Sequence, residues 1–428
     1  MDTGVIALII ICAMMVLYVT ELLPMAVTSI LACLAMAVFG VIPLESAFSG
    51  FANDIIYMVA GMFVVGAALF ETGAARFIGQ RIVSVVGTNE KTFIAALILI
   101  SIPASAFLSN TATAAIMLPI ATSAITASGG KLTKKNSYMA IGIACVAGGG
   151  LTLVSSTPQL IAQGLLREGG YQPISFFEPG YTGVPVFALM FIYFMTVGYR
   201  LQKRVFDFPE THDGSFVKSP DESGAESAPH GSVVKMCISA GALVFCIVGF
   251  ICGLWTIGIV AMIGAVICIV TGCISQKEVF RKMDWTTIIV VGCSFGVAAG
   301  LDHSGAGRMI ARGMISLLGN EASPWLLCSS LALVAVVLTN FMSSTATGAL
   351  LIPIAIFSAA ELGCDVKSAA IAVAIASNIG YATPISTPPL TMTLSGGYRF
   401  RDYVKVGGLF NIFAYILIVL LFPLVLNI

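Results

Sequence analysis

The sequence predicts an all-α integral membrane protein made of two inverted-topology repeats. Each repeat is expected to hold about five transmembrane helices, one re-entrant hairpin, and a helix broken near the midplane. Three observations carry this expectation. The chain of 428 residues is 58% hydrophobic and 10% charged, with a mean hydropathy of +1.00, whereas soluble domains carry roughly 25% charged residues. Charge-free runs of 18 or more residues recur along it, as spanning helices require, and the alternation of barrel strands is missing. The third observation is that the chain repeats itself.

The stretch FLSNTATAAIMLPIA at position 107 returns as FMSSTATGALLIPIA at 341, an offset of 234. Upstream, MVAGMFVVGAALFETGAARFIG at 58 resembles IVVGCSFGVAAGLDHSGAGRMIA at 289, and downstream LVSSTPQL at 153 resembles PISTPPLT at 384. Charge-free windows match in length as well: 92–130 and 322–360 hold 39 residues each, 136–166 and 368–398 hold 31 each. The division that follows is a first repeat over 1–202, a linker over 203–235 and a second repeat over 236–428.

Taken in order, residues 4–22 form the first span. They lack the basic n-region and small-residue cleavage site of a signal peptide. Spans near 25–43 and 55–73 follow, then the first 39-residue window, then about 138–166 and 181–199. As one helix the window would run about 58 Å, twice the hydrocarbon core, and as two full spans it leaves no turn. A re-entrant hairpin over 92–130 resolves this, because irregular backbone at depth is tolerated where protein or a cavity surrounds it. The linker, rich in Ser, Gly, Pro and acidic residues, reads as a partly disordered cytoplasmic segment in which His212 and His230 are solvated. The second half offers 236–253, 255–273, 286–301, a hairpin over 322–360, then 368–397 and 408–427.

Five spans and a hairpin make an odd number of crossings, so the second repeat must be inverted. With the N-terminus outside, 17 of the 21 basic residues fall in inside loops, including Arg76 and Arg81, and only Arg167, Arg308, Arg312 and Lys367 fall outside. Inverted repeats with interrupted helices are the layout of secondary transporters, whose substrate and ion sites lie where the repeats meet.

Four polar, charge-free elements should converge there: the hairpin tips Ser105–Thr113 and Thr339–Thr347, and the Gly- and Pro-broken stretches GGGLTLVSSTPQ (148–159) and NIGYATPISTPP (378–389). Broken helices leave N–H groups free for an anion and C=O groups free for a small hard cation such as Na⁺. No Lys or Arg lies near any tip in the sequence, so amide dipoles and hydroxyls are expected to hold the anion. A single Ser/Thr cluster would read as interhelical glue; its duplication beside two helix breaks favours a site.

Other residue types point to less. The eleven cysteines are scattered and form no ligand spacing. Glu21 at a span boundary, and Glu71 and Asp302–His303 at matching span ends, read as structural. HExxH does not appear and net charge is zero, which disfavours a zinc-dependent membrane hydrolase or a nucleic-acid binder. The chain is expected to be no enzyme.

Several blocks resemble the divalent anion/sodium symporters, carriers of dicarboxylates, citrate and sulfate: TELLPMAVTSIL near the start, FANDIIYMVAGMFVVGAALFETGAARFI, SNT at 109–111 and GGYRFRDYVKVG at 396–407. The resemblance covers nearly the whole chain. It implies Na⁺-coupled symport of small di- or trivalent anions by an elevator-like motion, in a homodimer in the cell membrane. Carried over by position, it implies a first cation site at Ser105, Ser109, Asn110, Gly150 and Leu151 and a second at Thr339, Ser343 and Ala382. The substrate is implied to meet Asn110, Thr111, Ser344, Thr345 and Pro384. Ser344 stands where the family usually has Asn, and, against the further N-terminal helix of most members, the chain is expected to begin at the repeat itself. Exchange, proton coupling, or a cation/proton antiporter or arsenite-type permease of the wider superfamily are the alternatives.

Overall fold

The computed structural model describes residues 2–20, 22–74, 89–128, 131–206, 232–253, 255–318 and 323–425. Glu21, Arg76, Arg81, His212 and His230 lie outside the described residues, as does the linker over 207–231. Among the described residues every regular element is a helix. Seven are long and apolar enough to cross a membrane, or eight if Gly180–Met195 and Val197–Val205, bent by 51° at Thr196, form one span. All eleven cysteines are free, seven of them buried as small apolar side chains.

Both 39-residue windows fold into pairs of helices with short connections. In the first, Glu90–Phe107 and Asn110–Ala127 are joined through Leu108 and Ser109; in the second, Pro324–Thr339 and Ser344–Leu362 are joined through Asn340–Ser343. Local chemistry sets these ends. Asn89, Ser109, Ser323 and Ser343 each accept a hydrogen bond from the backbone N–H of a residue in the helix that follows, a cap that contributes about 1 kcal/mol. The legs are longer than the expected half-spans: 18 residues each in the first pair, 16 and 19 in the second.

Two helices are buried on nearly every side, Lys134–Gly148 and Val366–Ser377. Each stops at a polar, Gly- or Pro-rich break and resumes, as Thr157–Glu168 in one case and as the single turn and a half Pro388–Met392 in the other. Each hairpin packs on the buried helix that follows it. Elsewhere Asp54–Glu71 lies along Ile257–Val270 at small-residue distance: a Cβ on Gly61 would fall 2.6 Å from the Ala261 carbonyl carbon. Close backbone approach of this kind drives helix association in lipid, where the hydrophobic effect between helices is missing.

Candidate functional site

The first hairpin connection, the start of the second hairpin's returning leg and both helix breaks face one cavity of about 490 Å³, within the range typical of small-molecule sites. Ser109, Asn110 and Thr111 enter from the first hairpin, Ser344 and Thr345 from the second. Ser155–Thr157 enter from the first break, Thr387–Pro389 from the second. An apolar wall of Met58, Val59, Met62 and Phe63 closes the side contributed by Asp54–Glu71. Three helix N-termini begin at the cavity, those of Asn110–Ala127, Ser344–Leu362 and Thr157–Glu168. Their first-turn N–H groups have no intrahelical acceptor and favour negative charge. Thr387 adds a hydroxyl that is buried and has no hydrogen-bond partner, a state that costs free energy unless something else occupies the cavity.

The two halves use the same hydrogen bonds around this cavity. Ser105 donates to the carbonyl of Cys145 (2.6 Å) and Thr339 to that of Ser377 (2.8 Å), tying each first leg to the end of a buried helix. Thr152 donates to the Ala106 carbonyl and Thr383 to the Asn340 carbonyl, pinning each break to the end of its hairpin's first leg or the residue just after it. Within the breaks, Ser155 bonds the Gly149 and Thr152 carbonyls, while Ser386 bonds those of Gly380 and Thr383, six and three residues back in both cases. Ser156 crosses between halves to donate to Asn378 Oδ1 at 2.6 Å.

The sequence profile described as citrate transporter matches residues 15–370. The chain belongs to the citrate transporter family. It is 27% identical over 425 residues to an uncharacterised transporter of Haemophilus influenzae, covering 94% of this chain and 88% of the relative. It is 25% identical to the sodium-dependent dicarboxylate transporter SdcS of Staphylococcus saprophyticus, covering 98% and 85%. Among solved structures, the YdaH transporter of Alcanivorax borkumensis shares the fold with a TM-score of 0.65 at 15% identity, covering 92% of this chain and 88% of that one. MtrF of Neisseria gonorrhoeae does so at 0.59 and 13%, covering 91% and 83%. The protein is a multi-pass secondary transporter and no enzyme.

Within this citrate transporter family member, the residues singled out from sequence separate into two groups. Ser109, Asn110, Thr111, Ser344 and Thr345 share the cavity lining. Ser105, Gly150, Leu151, Thr339, Ser343, Ala382 and Pro384 are not in that lining. Ser105 sits behind Asn110, its Oγ 2.8 Å from Oδ1. Gly149 makes room for that amide: a Cβ there would fall 2.6 Å from Asn110 Nδ2. In the second half the Ala382 N–H donates to Asn340 Oδ1 at 3.0 Å, the Pro384 carbonyl accepts from Thr391, and Ser343 contacts Met25 Sδ. The breaks meet the cavity a few residues later than the resemblance places them, at Ser155–Thr157 and Thr387–Pro389. The pairing of LVSSTPQL with PISTPPLT aligns Ser155–Thr157 with Ser386–Pro388, one residue short of the observed stretch.

Beside the first hairpin stands a group of neutral oxygens that could hold a small hard cation. Ser105 Oγ has one hydrogen for two acceptors, Asn110 Oδ1 and the Cys145 carbonyl, so neutral oxygens crowd there as Na⁺ coordination prefers. In the second half the oxygens of Thr339 and Asn340 are already engaged with backbone partners.

One expectation is corrected. A cationic side chain does face the cavity: Lys282, supplied by the short helix Gln276–Lys282, lines it together with Asp284 and Thr287. More than 160 residues separate Lys282 from Asn110 in sequence and about 60 from Ser344, so only the fold brings them together.

Proposed function

We propose that this protein is a Na⁺-coupled symporter of small di- or trivalent anions, namely C4-dicarboxylates, citrate or sulfate, working by an elevator-like motion. The observation that carries the reading is the single cavity lined by residues of both hairpins and both helix breaks. Substrate carboxylates meet the N–H groups and side chains of Asn110, Thr111, Ser344 and Thr345, with the hydroxyls of Ser156, Thr157 and Thr387 beside them. One Na⁺ sits among Ser105, Asn110 and the Cys145 carbonyl, with Ser109 and the backbone near Gly150 and Leu151 behind. A second, at Thr339, Ser343 and Ala382, completes the set implied by the family resemblance. The name of the relative SdcS, a sodium-dependent dicarboxylate transporter, supports both the ion and the substrate class.

In this reading the halves 1–202 and 236–428 are inverted copies and both hairpins are re-entrant. The matched hydrogen bonds around the breaks support the copy relationship, and the bias of 17 of 21 basic residues supports the orientation. The N-terminus is outside, the linker 203–235 cytoplasmic, and the carrier a homodimer in the cell membrane. Purified protein in liposomes, given labelled succinate, citrate and sulfate with and without an inward Na⁺ gradient, tests the proposal. Gradient-driven uptake of at least one anion is expected. Uptake of none, or uptake driven only by a counter-anion, overturns it.

A further inference from the structure

Lys282 sits where the transport reading has no use for it. Among the described residues it is the one Lys or Arg that lines the cavity. Its ammonium is paired with the Glu71 carboxylate and rests 4.5 Å from the centroid of the Phe70 ring. Glu71 and Phe70 end the helix Asp54–Glu71, whose earlier turns supply Met58, Val59, Met62 and Phe63 to the same cavity. Lys282 thus lines the cavity while its partners Glu71 and Phe70 stand outside the lining. The ion pair is partly open to solvent, with side-chain exposures of 25% for Lys282 and 33% for Glu71.

The other ionised group in the lining is Asp284, and its oxygens are already occupied. Oδ1 accepts from the Thr287 N–H (3.1 Å) and Oδ2 from the Thr287 hydroxyl (2.6 Å), capping the helix Trp285–His303. The helix N-terminus beneath it stabilises its charge. Asp284 is thus a fixed anion that offers no exchangeable bond. Glu71 is different: among the described residues Lys282 is its one side-chain partner, and a partly exposed ion pair of this kind contributes little to stability. A cation held weakly at a cavity wall by one carboxylate can trade that carboxylate for another.

We propose that Lys282 is a second anion position of the transport site: it exchanges Glu71 for the distal carboxylate of the substrate, and so selects anions with two or more negative groups. This rests on the anion-carrier reading above. The proximal carboxylate is held by neutral donors at the hairpin connections, which treat mono- and dianions alike. Lys282 supplies the difference, because a charge-assisted bond forms only with an anion that has a further charged end. Glu71 closes the position when substrate is absent, so the empty carrier does not bury an unpaired ammonium.

Initial uptake rates in proteoliposomes test this, using succinate and a monoanion of similar size, butyrate. Lys282→Gln should raise KM for succinate about tenfold, the worth of one charge-assisted bond, while leaving the butyrate value unchanged. Glu71→Gln should lower the succinate KM severalfold, since the competing carboxylate is gone. The charge-reversed double variant Glu71→Lys with Lys282→Glu restores an ion pair and should not restore succinate affinity. If it does restore affinity, or if Lys282→Gln shifts succinate and butyrate equally, the pair is a structural tie and the proposal is overturned. If wild-type protein transports none of the anions, the carrier reading fails first, and the two failures are distinguishable.

Discussion

Adding one methyl group at Gly149 will disable the first hairpin connection without unfolding the protein. The ideal Cβ would lie 2.6 Å from Asn110 Nδ2 and 2.8 Å from Oδ1, with the Val146 carbonyl next at 3.0 Å. Ordinary contact distances begin near 3.5 Å, so the amide must retreat by roughly 1 Å. That retreat pulls Oδ1 away from Ser105 Oγ, now 2.8 Å distant, and moves Asn110 out of the position from which it faces the cavity. The cost to the fold is small because the displaced group is the end of a flexible side chain. Gly149 has φ −59° and ψ −17°, which alanine adopts freely, and its helical preference over glycine, up to about 1 kcal/mol, offsets part of an overpacking cost of about 1–3 kcal/mol. The cost to binding is larger: one lost charge-assisted contact to a carboxylate is worth about 1.5–3 kcal/mol, about ten- to a hundredfold in KM. Gly150→Ala is the control, since its nearest neighbours are 3.3 Å and 3.7 Å away. Initial uptake rates of a labelled dicarboxylate, with thermal unfolding followed by intrinsic fluorescence, separate the two costs. Wild-type KM in Gly149→Ala, or equal losses in both variants, refutes the placement of Asn110 in the site.

Three further outcomes follow from the same geometry. Asn110→Ala should reduce uptake by at least about tenfold while folded yield is nearly unchanged, and wholesale misfolding would instead identify Asn110 as packing glue. Ser344→Asn lengthens a cavity-lining side chain and replaces a hydroxyl with an amide, so the ranking of succinate, citrate and sulfate KM values should change; an unchanged ranking would place Ser344 away from the substrate. Glu90→Gln should act on stability instead of transport. Its Oε1 accepts from Thr133 and Asn136, and its Oε2 from Tyr199 with Lys203 at 3.7 Å, so an amide nitrogen there faces donors. A loss of about 2–3 kcal/mol and a thermal midpoint several degrees lower are expected, with KM for the folded fraction unaltered.

Much of the fold was legible because membrane burial imposes strict composition: charge-free windows of fixed length marked both hairpin pairs and both broken helices before any coordinates. The connection of the first hairpin was legible for a further reason. Ser109 and Asn110 are polar groups in an apolar run, and the capping of Ala112 by Ser109 is the local chemistry that such a run needs to turn. Less legible was the depth at which each break meets the cavity. The gap from Gly150 to Ser155, and from Ala382 to Thr387, is spent in irregular backbone closed by Ser155 and Ser386, and no periodicity reports how such a loop folds back. Leg length was less legible for a related reason: the connections take only Leu108–Ser109 and Asn340–Ser343, so nearly all of each window goes into legs of 16 to 19 residues.

Lys282 marks the boundary of what a linear reading can reach. Sequence proximity assigns charge to the element that carries it, and by that measure the hairpin connections are uncharged. A cavity adds charges by closing elements together, and here Gln276–Lys282 brings Lys282 to the cavity lining while Asp54–Glu71 supplies its carboxylate partner from outside that lining. On the reading proposed above, the anion site is not a set of neutral dipoles alone. It pairs neutral donors, which can release a substrate readily, with one cation already partnered in the empty state. That division suits a carrier: a permanently exposed ammonium would hold a dianion too tightly to deliver it, and neutral donors alone would not tell a dianion from a monoanion.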